Sequence, residues 1–126
     1  RSYGSASYAG IMSYSWAHVQ RNDDRVQAVL KWIRQRYTVD ENPGMGQKNL
    51  YYYYMVFAKA LRAVGEPALV DDRGVRHNWR EDLARKLLSL QQPEGYWVNT
   101  ADTDEMQGNK VLVTAFTMQA IEELLQ

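Results

Sequence analysis

The 126-residue sequence predicts an all-α fold of stacked helical hairpins, arranged as a solenoid or as a closed α/α ring. Five segments carry apolar residues at helical spacing. Segments with few charged residues alternate along the chain with segments that have many. Because helices with few charges are usually buried, this alternation predicts inner helices separated by outer ones. Residues 8–12 can also be aligned with residues 114–118, as expected of a hairpin that repeats along the chain.

The first two segments illustrate the two kinds of helix. The first is predicted over residues 5–19 and contains no Asp, Glu, Lys or Arg, so it is an inner helix. The second is predicted over residues 23–37 and begins at the capping pair Asp23-Asp24. Its charged residues surround a single apolar stripe, so it is an outer helix. The stripe consists of Val26, Val29, Leu30, Ile33 and Tyr37.

The third helix is predicted over residues 50–64 and ends at Gly65, with Pro67 beyond it. Lys59 and Arg62 are its only charged residues, which makes it an inner helix. After it, Leu69-Val70 and Val75 enclose a turn-forming segment that includes Gly74. This pattern predicts a small β-hairpin insertion near residues 69–76.

The fourth helix is predicted to follow Asn78, which resembles a capping box with Glu81, and His77 is expected to join this cap. Its five charged residues make it an outer helix. They are Arg80, Glu81, Asp82, Arg85 and Lys86. The fifth helix follows Asn109, carries charge only near its ends, and is the third inner helix.

Composition excludes several classes of function. The 15 basic and 15 acidic residues cancel, so attraction to nucleic acid is not expected to be the main role. The absence of cysteine excludes a disulfide scaffold, a thiolate zinc site and a cysteine nucleophile. The absence of cysteine does not indicate the compartment, so a soluble protein of this composition could be cytoplasmic or exported. No apolar run is long enough to span a membrane, and no cofactor or metal site is predicted.

The segment Gln92-Pro93-Glu94-Gly95-Tyr96-Trp97 resembles the QW motif of squalene and oxidosqualene cyclases. In this interpretation the Gln92 amide bonds free backbone groups at a helix end, and the Trp97 indole stacks on it. Gly95 permits the tight turn between them. The motif is structural and carries no chemistry of its own.

Residues 40–126 as a whole resemble the bacterial prenyltransferase/squalene-cyclase repeat proteins, the terpene cyclase group. The resemblance implies that residues 1–126 form one domain, a partial α/α toroid of helical hairpins. Thr114-Ala115 stand where these cyclases carry a catalytic acid motif, but the acids of that motif are missing. The resemblance therefore implies a non-catalytic domain that binds an apolar, isoprenoid-like ligand.

Asp102, Asp104 and Glu105 are the candidate catalytic residues. Two neighbouring carboxyl groups raise one another's pKa, and a protonated acid could start a carbocation reaction. The alternative is a solvated acidic loop near a helix N-terminus, or a weak cation site. A class II cyclase-type enzyme that uses this cluster is therefore one of the alternative functions.

Tyr51, Tyr54, Met55 and Trp16 are the candidate ligand-binding residues. Aromatic faces on inner helices of a ring could bind an isoprenoid or steady a cation. The alternative is that residues 51–54 fill the space between the two layers, with their hydroxyls bonded to neighbouring loops.

An arc of five helices would leave apolar inner-helix surface exposed at both ends. We therefore predict that the chain is part of a longer protein or self-associates as a homo-oligomer. A further alternative function is a protein interaction module that binds its partner on a concave helical surface.

Overall fold

The computed structural model describes residues 3–16 (side chains as far as Ser13), 22–102 and 108–126. This part of the chain is all-α apart from one small hairpin. Its helices are α1 (Gly4–Trp16), α2 (Asp24–Gln35), α3 (Leu50–Val64), α4 (Trp79–Leu90) and α5 (Lys110–Leu124). Strands β1 (Leu69–Val70) and β2 (Arg76–His77) pair antiparallel, so the predicted hairpin is confirmed. No helix within these ranges is long and apolar enough to cross a bilayer.

The helix boundaries follow the capping residues in the sequence. The side chains of Asp23, Asn78 and Asn109 accept backbone N–H groups from the first turns of α2, α4 and α5. Gly65 ends α3 with a φ of 81°, in the left-handed region that glycine favours. Helix α2 ends two residues earlier than predicted because Arg36 leaves helical geometry.

Helices α1 and α3 run parallel and side by side. Gly4 at the start of α1 lies against Tyr53, and a Cβ on this glycine would be 2.8 Å from the Tyr53 ring. One turn further along both helices, the rings of Tyr8 and Phe57 are 5.0 Å apart. Later residues of α1 therefore contact later residues of α3, as they do in two parallel helices.

Helix α5 lies on the other side of α3 and is parallel to it as well. The rings of Tyr52 and Phe116 are 5.8 Å apart. Seven residues later on both helices, Lys59 Nζ lies 3.2 Å from Glu123 Oε1. The three helices α1, α3 and α5 thus form one row with α3 at its centre, which we call the inner row.

Helices α2 and α4 cover the inner row, and α4 runs antiparallel to it. Arg34 near the end of α2 lies 3.8 Å from Glu66, just beyond α3, whereas Tyr37 contacts Phe57 in the middle of α3. The Trp79 indole at the start of α4 donates to the Glu66 carbonyl at 3.5 Å. Two turns later on α4, Lys86 pairs with Asp40, beside Val39, whose carbonyl accepts the hydroxyl of Tyr54 in the first half of α3. This is the two-layer arrangement that the alternation of charge predicts.

Burial confirms the prediction for α2, α3 and α4 but not for α5. Nine residues of α3 are buried, whereas α2 and α4 each bury a stripe of three. Helix α5 buries only Val113, Phe116, Thr117 and Ala120. The prediction that it is enclosed nearly all round is wrong, because α4 leaves a groove along its outer edge and no other helix among the described residues lies there. Exposed on that edge are Val111 (73%), Met118 (48%) and Leu125 (82%).

The start of α1 is held by a loop between α2 and α3. The Gly4 N–H donates to the Pro43 carbonyl at 2.7 Å. The next N–H group, that of Ser5, donates to Asn42 Oδ1 at 3.0 Å. Asn42 is fully buried and also donates through Nδ2 to the Lys48 carbonyl at 3.0 Å. A side chain from a distant loop therefore caps α1, which has no capping residue of its own at this position.

Candidate functional site

A cavity of about 760 Å³ opens between α4 and α5, and we call it the α4/α5 groove. Most of its lining is apolar, and four polar side chains lie along it. The apolar residues are Ala84, Leu87, Leu88, Trp97, Met118, Ile121, Leu124 and Leu125, and the polar ones are Asn78, Arg80, Glu81 and Gln91. Gly95 completes the lining.

The groove has a rigid floor and an exposed apolar rim. Leu87 and Trp97 are buried. Leu88 is 71% exposed, and with Met118 and Leu125 it supplies large apolar groups on both walls. Apolar walls with a few polar groups are typical of small-molecule sites, in which the polar groups orient the ligand.

The segment that resembles a QW motif borders this groove at Gly95 and Trp97 and caps the end of α4, but a different glutamine takes part. The Gln91 amide, rather than that of Gln92, donates to the Gly95 carbonyl at 3.0 Å. The Trp97 indole N–H donates to the Leu87 carbonyl in the last turn of α4, at 2.8 Å. Gly95 has a φ of 94°, as the predicted tight turn requires. Gln92 contributes through its backbone N–H, which donates to the Tyr96 carbonyl.

Trp97 also joins α4 to α5. Its backbone N–H donates to Thr114 Oγ1 at 3.0 Å, and the Thr114 hydroxyl donates to the Trp97 carbonyl at 3.3 Å. Trp97 therefore fixes the distance between the two walls of the groove at one end.

The candidate ligand-binding tyrosines, Tyr51 and Tyr54, lie outside the lining of the α4/α5 groove. Tyr53 and Tyr54 are fully buried, and their hydroxyls donate to the carbonyls of Thr38 and Val39 at 2.6 and 2.7 Å. Burial raises the pKa of both hydroxyls, which keeps them protonated as donors. For Tyr53 and Tyr54, this is the packing between the two layers that we gave as the alternative for residues 51–54.

The other two described candidates belong to the same region of α3. Tyr51 is buried and meets the Tyr54 ring edge to face at 5.6 Å. Met55 is partly buried and packs against the core. The side chain of Trp16 lies outside the described part of the chain.

Among the acidic candidates, Asp102 forms a hydrogen bond at the start of α3. It is largely buried, and its Oδ2 accepts the backbone N–H of Asn49, the residue before α3, at 3.0 Å. Asn49 has a φ of 53°, so this bond holds a residue in the left-handed region. Asp104 and Glu105 lie outside the described residues. Within the described ranges, no three His, Asp or Glu side chains form a group that could hold a metal ion.

His77 belongs to the hairpin rather than to the cap of α4. Its Nε2 lies 2.9 Å from Asp71 Oδ2, and its ring stacks on Tyr37 at 4.1 Å. The other oxygen of Asp71 accepts the backbone N–H groups of Arg73 and Val75, both at 2.9 Å. Asp71 therefore holds the turn of the hairpin and fixes its second strand.

We expect the stabilising effect of Asp71 to be lost in acid. The hydrogen bond from His77, helped by those from Val75 and Arg73, lowers the pKa of Asp71 below its ordinary value of 3.8. A carboxyl with a lowered pKa in the folded state stabilises the fold above its unfolded pKa and stops doing so as the pH falls through its folded pKa. The difference in unfolding free energy between the natural protein and Asp71→Asn should therefore be largest near pH 6 and shrink towards pH 2, as measured by urea denaturation. A difference that stays constant over this range would contradict the assignment.

The α4/α5 groove was missed at the level of sequence, although one signal for it was present. Val111, Met118 and Leu125 recur every seven residues, so they lie on one edge of α5. The number of charged residues in a helix does not show whether another helix covers a given edge. The low charge of α5 therefore predicted burial for an edge that is exposed.

Comparisons with protein-family models, curated proteins and solved structures found no match to this chain. The resemblance to squalene-cyclase repeat proteins therefore rests on the residues of this sequence alone and stays a prediction.

Proposed function

We propose that this chain is a non-catalytic arc of an α/α toroid that binds an apolar, isoprenoid-like small molecule in the α4/α5 groove. The groove is the observation that carries the proposal. Its volume of about 760 Å³ lies within the range of roughly 300–1,000 Å³ that is usual for small-molecule sites. Leu88, Met118 and Leu125 offer exposed apolar surface whose burial against such a ligand would be favourable.

The arc is supported by the direction of the helices. The helices of the inner row are parallel, and α2 and α4 connect them in turn, so each successive hairpin adds one helix to the same row. An array of this kind can continue on both sides of its end helices.

A non-catalytic role is supported by the position of Asp102. Its carboxylate accepts a backbone N–H at the start of α3 and is not part of the lining of the apolar groove. A cyclase-type acid has to face the apolar substrate that it protonates. The cyclase alternative therefore gains no support from the candidate acid that the structure describes.

A charge placed at the rim of the groove should abolish binding of an apolar probe. We expect farnesol to bind the natural protein. The Met118→Glu variant should bind farnesol at least about tenfold more weakly, because the new carboxylate would lose its hydrating water on contact with the hydrocarbon chain of farnesol. Isothermal titration calorimetry measures both affinities. The matched control is Val75→Glu in the hairpin, because Val75 is exposed to a similar degree (50%) and lies away from the groove.

Equal affinity of farnesol for the natural protein and Met118→Glu, or no binding to either, would overturn the proposal. A protein interaction module remains the second candidate, favoured by the seven-residue spacing of Val111, Met118 and Leu125, which suits packing against another helix. In that case Met118→Glu should lower the sedimentation coefficient of an assembly at high concentration and leave farnesol titrations flat.

A further inference from the structure

A second cavity, of about 330 Å³, lies along the C-terminal halves of the inner-row helices and shares no lining residue with the α4/α5 groove. It is lined by Met12, Lys59, Arg62, Ala63 and Glu123. We call it the inner-row cavity. Helices α1, α3 and α5 each contribute to it, so it depends on the row rather than on any one helix.

The inner-row cavity contains two cations and one carboxylate. Lys59 Nζ lies 3.2 Å from Glu123 Oε1, and Arg62 Nη1 lies 2.8 Å from Glu123 Oε2. Burial acts to raise the pKa of Glu123, but the hydrogen bonds from Arg62 and Lys59 outweigh it and leave this pKa below its usual value. Glu123 is therefore ionised at neutral pH, and the cavity carries one positive charge in excess.

Donors remain for a second oxyanion. Arg62 donates to Glu123 through Nη1 only, and Lys59 donates one hydrogen bond to Glu123. In the described part of the chain the other N–H groups of these two side chains have no hydrogen-bond partner. A guanidinium fork with free donors binds a carboxylate through two parallel hydrogen bonds. The resident Glu123 shows that this pair of cations accepts a carboxylate.

An apolar strip leads away from these cations along α3. Tyr52, Met55 and Lys59 are spaced by three and four residues, so they share one face of the helix. Tyr52 and Met55 are partly buried and pack against the core, and Met12 adds apolar surface from α1 beside Lys59. The rise along the helix from Tyr52 to Lys59, seven positions later, is about 10 Å.

We propose that this face binds an amphiphilic carboxylate, with its head group on Arg62 and Lys59 and its apolar chain along Met55 and Tyr52. The excess of one positive charge matches a monoanion, and the length of the strip matches a medium-length chain. This site is separate from the α4/α5 groove and does not depend on the function proposed for it.

Octanoate is the probe that tests the site. We expect the natural protein to bind octanoate at least about tenfold more tightly than octanol, which lacks the charge, or acetate, which lacks the chain, in isothermal titration calorimetry. Arg62→Gln should weaken octanoate binding at least about tenfold. The matched control is Arg85→Gln, because Arg85 is an arginine of α4 that also pairs with a glutamate, Glu81, but lies outside both cavities.

Glu123→Gln separates this proposal from a purely structural ion pair between α3 and α5. If the octanoate carboxylate binds the same two cations as Glu123, removing the charge of Glu123 should tighten octanoate binding severalfold. This should hold even if Glu123→Gln lowers the melting temperature. Octanoate that binds no better than octanol, or equally to the natural protein and Arg62→Gln, would overturn the proposal. The octanoate result depends on Arg62 and the farnesol result on Met118, so either proposal can fail alone.

Discussion

Replacing Trp97 with alanine is expected to destabilise the protein by about 3–5 kcal/mol, as is usual when a buried Trp is truncated. The indole is buried in the core cluster and donates to the Leu87 carbonyl at 2.8 Å. Its removal leaves a cavity between α4 and α5 and an unpaired carbonyl in the last turn of α4. Urea denaturation followed by circular dichroism measures the change in unfolding free energy.

Trp97→Phe divides this effect into its parts. Phenylalanine retains most of the buried ring but cannot donate to Leu87, so we expect a loss of about 1–3 kcal/mol, the cost of an unsatisfied buried acceptor plus a smaller packing defect. Trp32→Phe on α2 is the control, because Trp32 is only partly buried and lies at the edge of the core. A loss in Trp97→Phe no larger than that in Trp32→Phe would show that the indole N–H does not stabilise α4.

The helices could be predicted from the sequence because their ends are decided locally. Asn78 and Asn109 cap the helices that follow them, and Gly65 takes the left-handed conformation that ends α3. The separation into inner and outer helices was also accessible, because it depends on how charge is distributed around each helix. These features require no knowledge of which helices are neighbours.

The α4/α5 groove could not be predicted in the same way, because its walls come from separate helices. Leu88 and Met118 lie 30 residues apart in the sequence, and only the antiparallel packing of α4 on α5 brings them to one cavity. The role of Trp97 was misjudged for a related reason. Its partner is a backbone carbonyl ten residues earlier, which no side-chain pattern marks. Tyr53 and Tyr54 of α3 likewise have their hydroxyl partners in a loop, at Thr38 and Val39.

Asn42→Ala should detach the start of α1 from the core and cost about 2–4 kcal/mol, because it leaves one buried N–H and one partly buried carbonyl without partners, and an unpaired buried group costs about 1–3 kcal/mol. These groups are the Ser5 N–H, which Asn42 Oδ1 accepts, and the Lys48 carbonyl, to which Asn42 Nδ2 donates. The substitution also removes the donor to the Ser5 hydroxyl at 3.3 Å. Because Gly4 packs directly on Pro43, α1 cannot shift to find other partners without losing this contact.

Two measurements distinguish local detachment of α1 from general destabilisation. Hydrogen exchange should show that the first turns of α1 lose protection in Asn42→Ala more than the buried turns of α3, because local openings expose only the element that lost its cap. Glu41→Ala, a change at the exposed neighbouring residue, is the control and should leave both helices protected. If Asn42→Ala is no less stable than Glu41→Ala, the Asn42 side chain does not hold α1. The start of α1 would then be held by the bond from Gly4 to the Pro43 carbonyl and by the packing of Tyr8 against Tyr53 and Phe57.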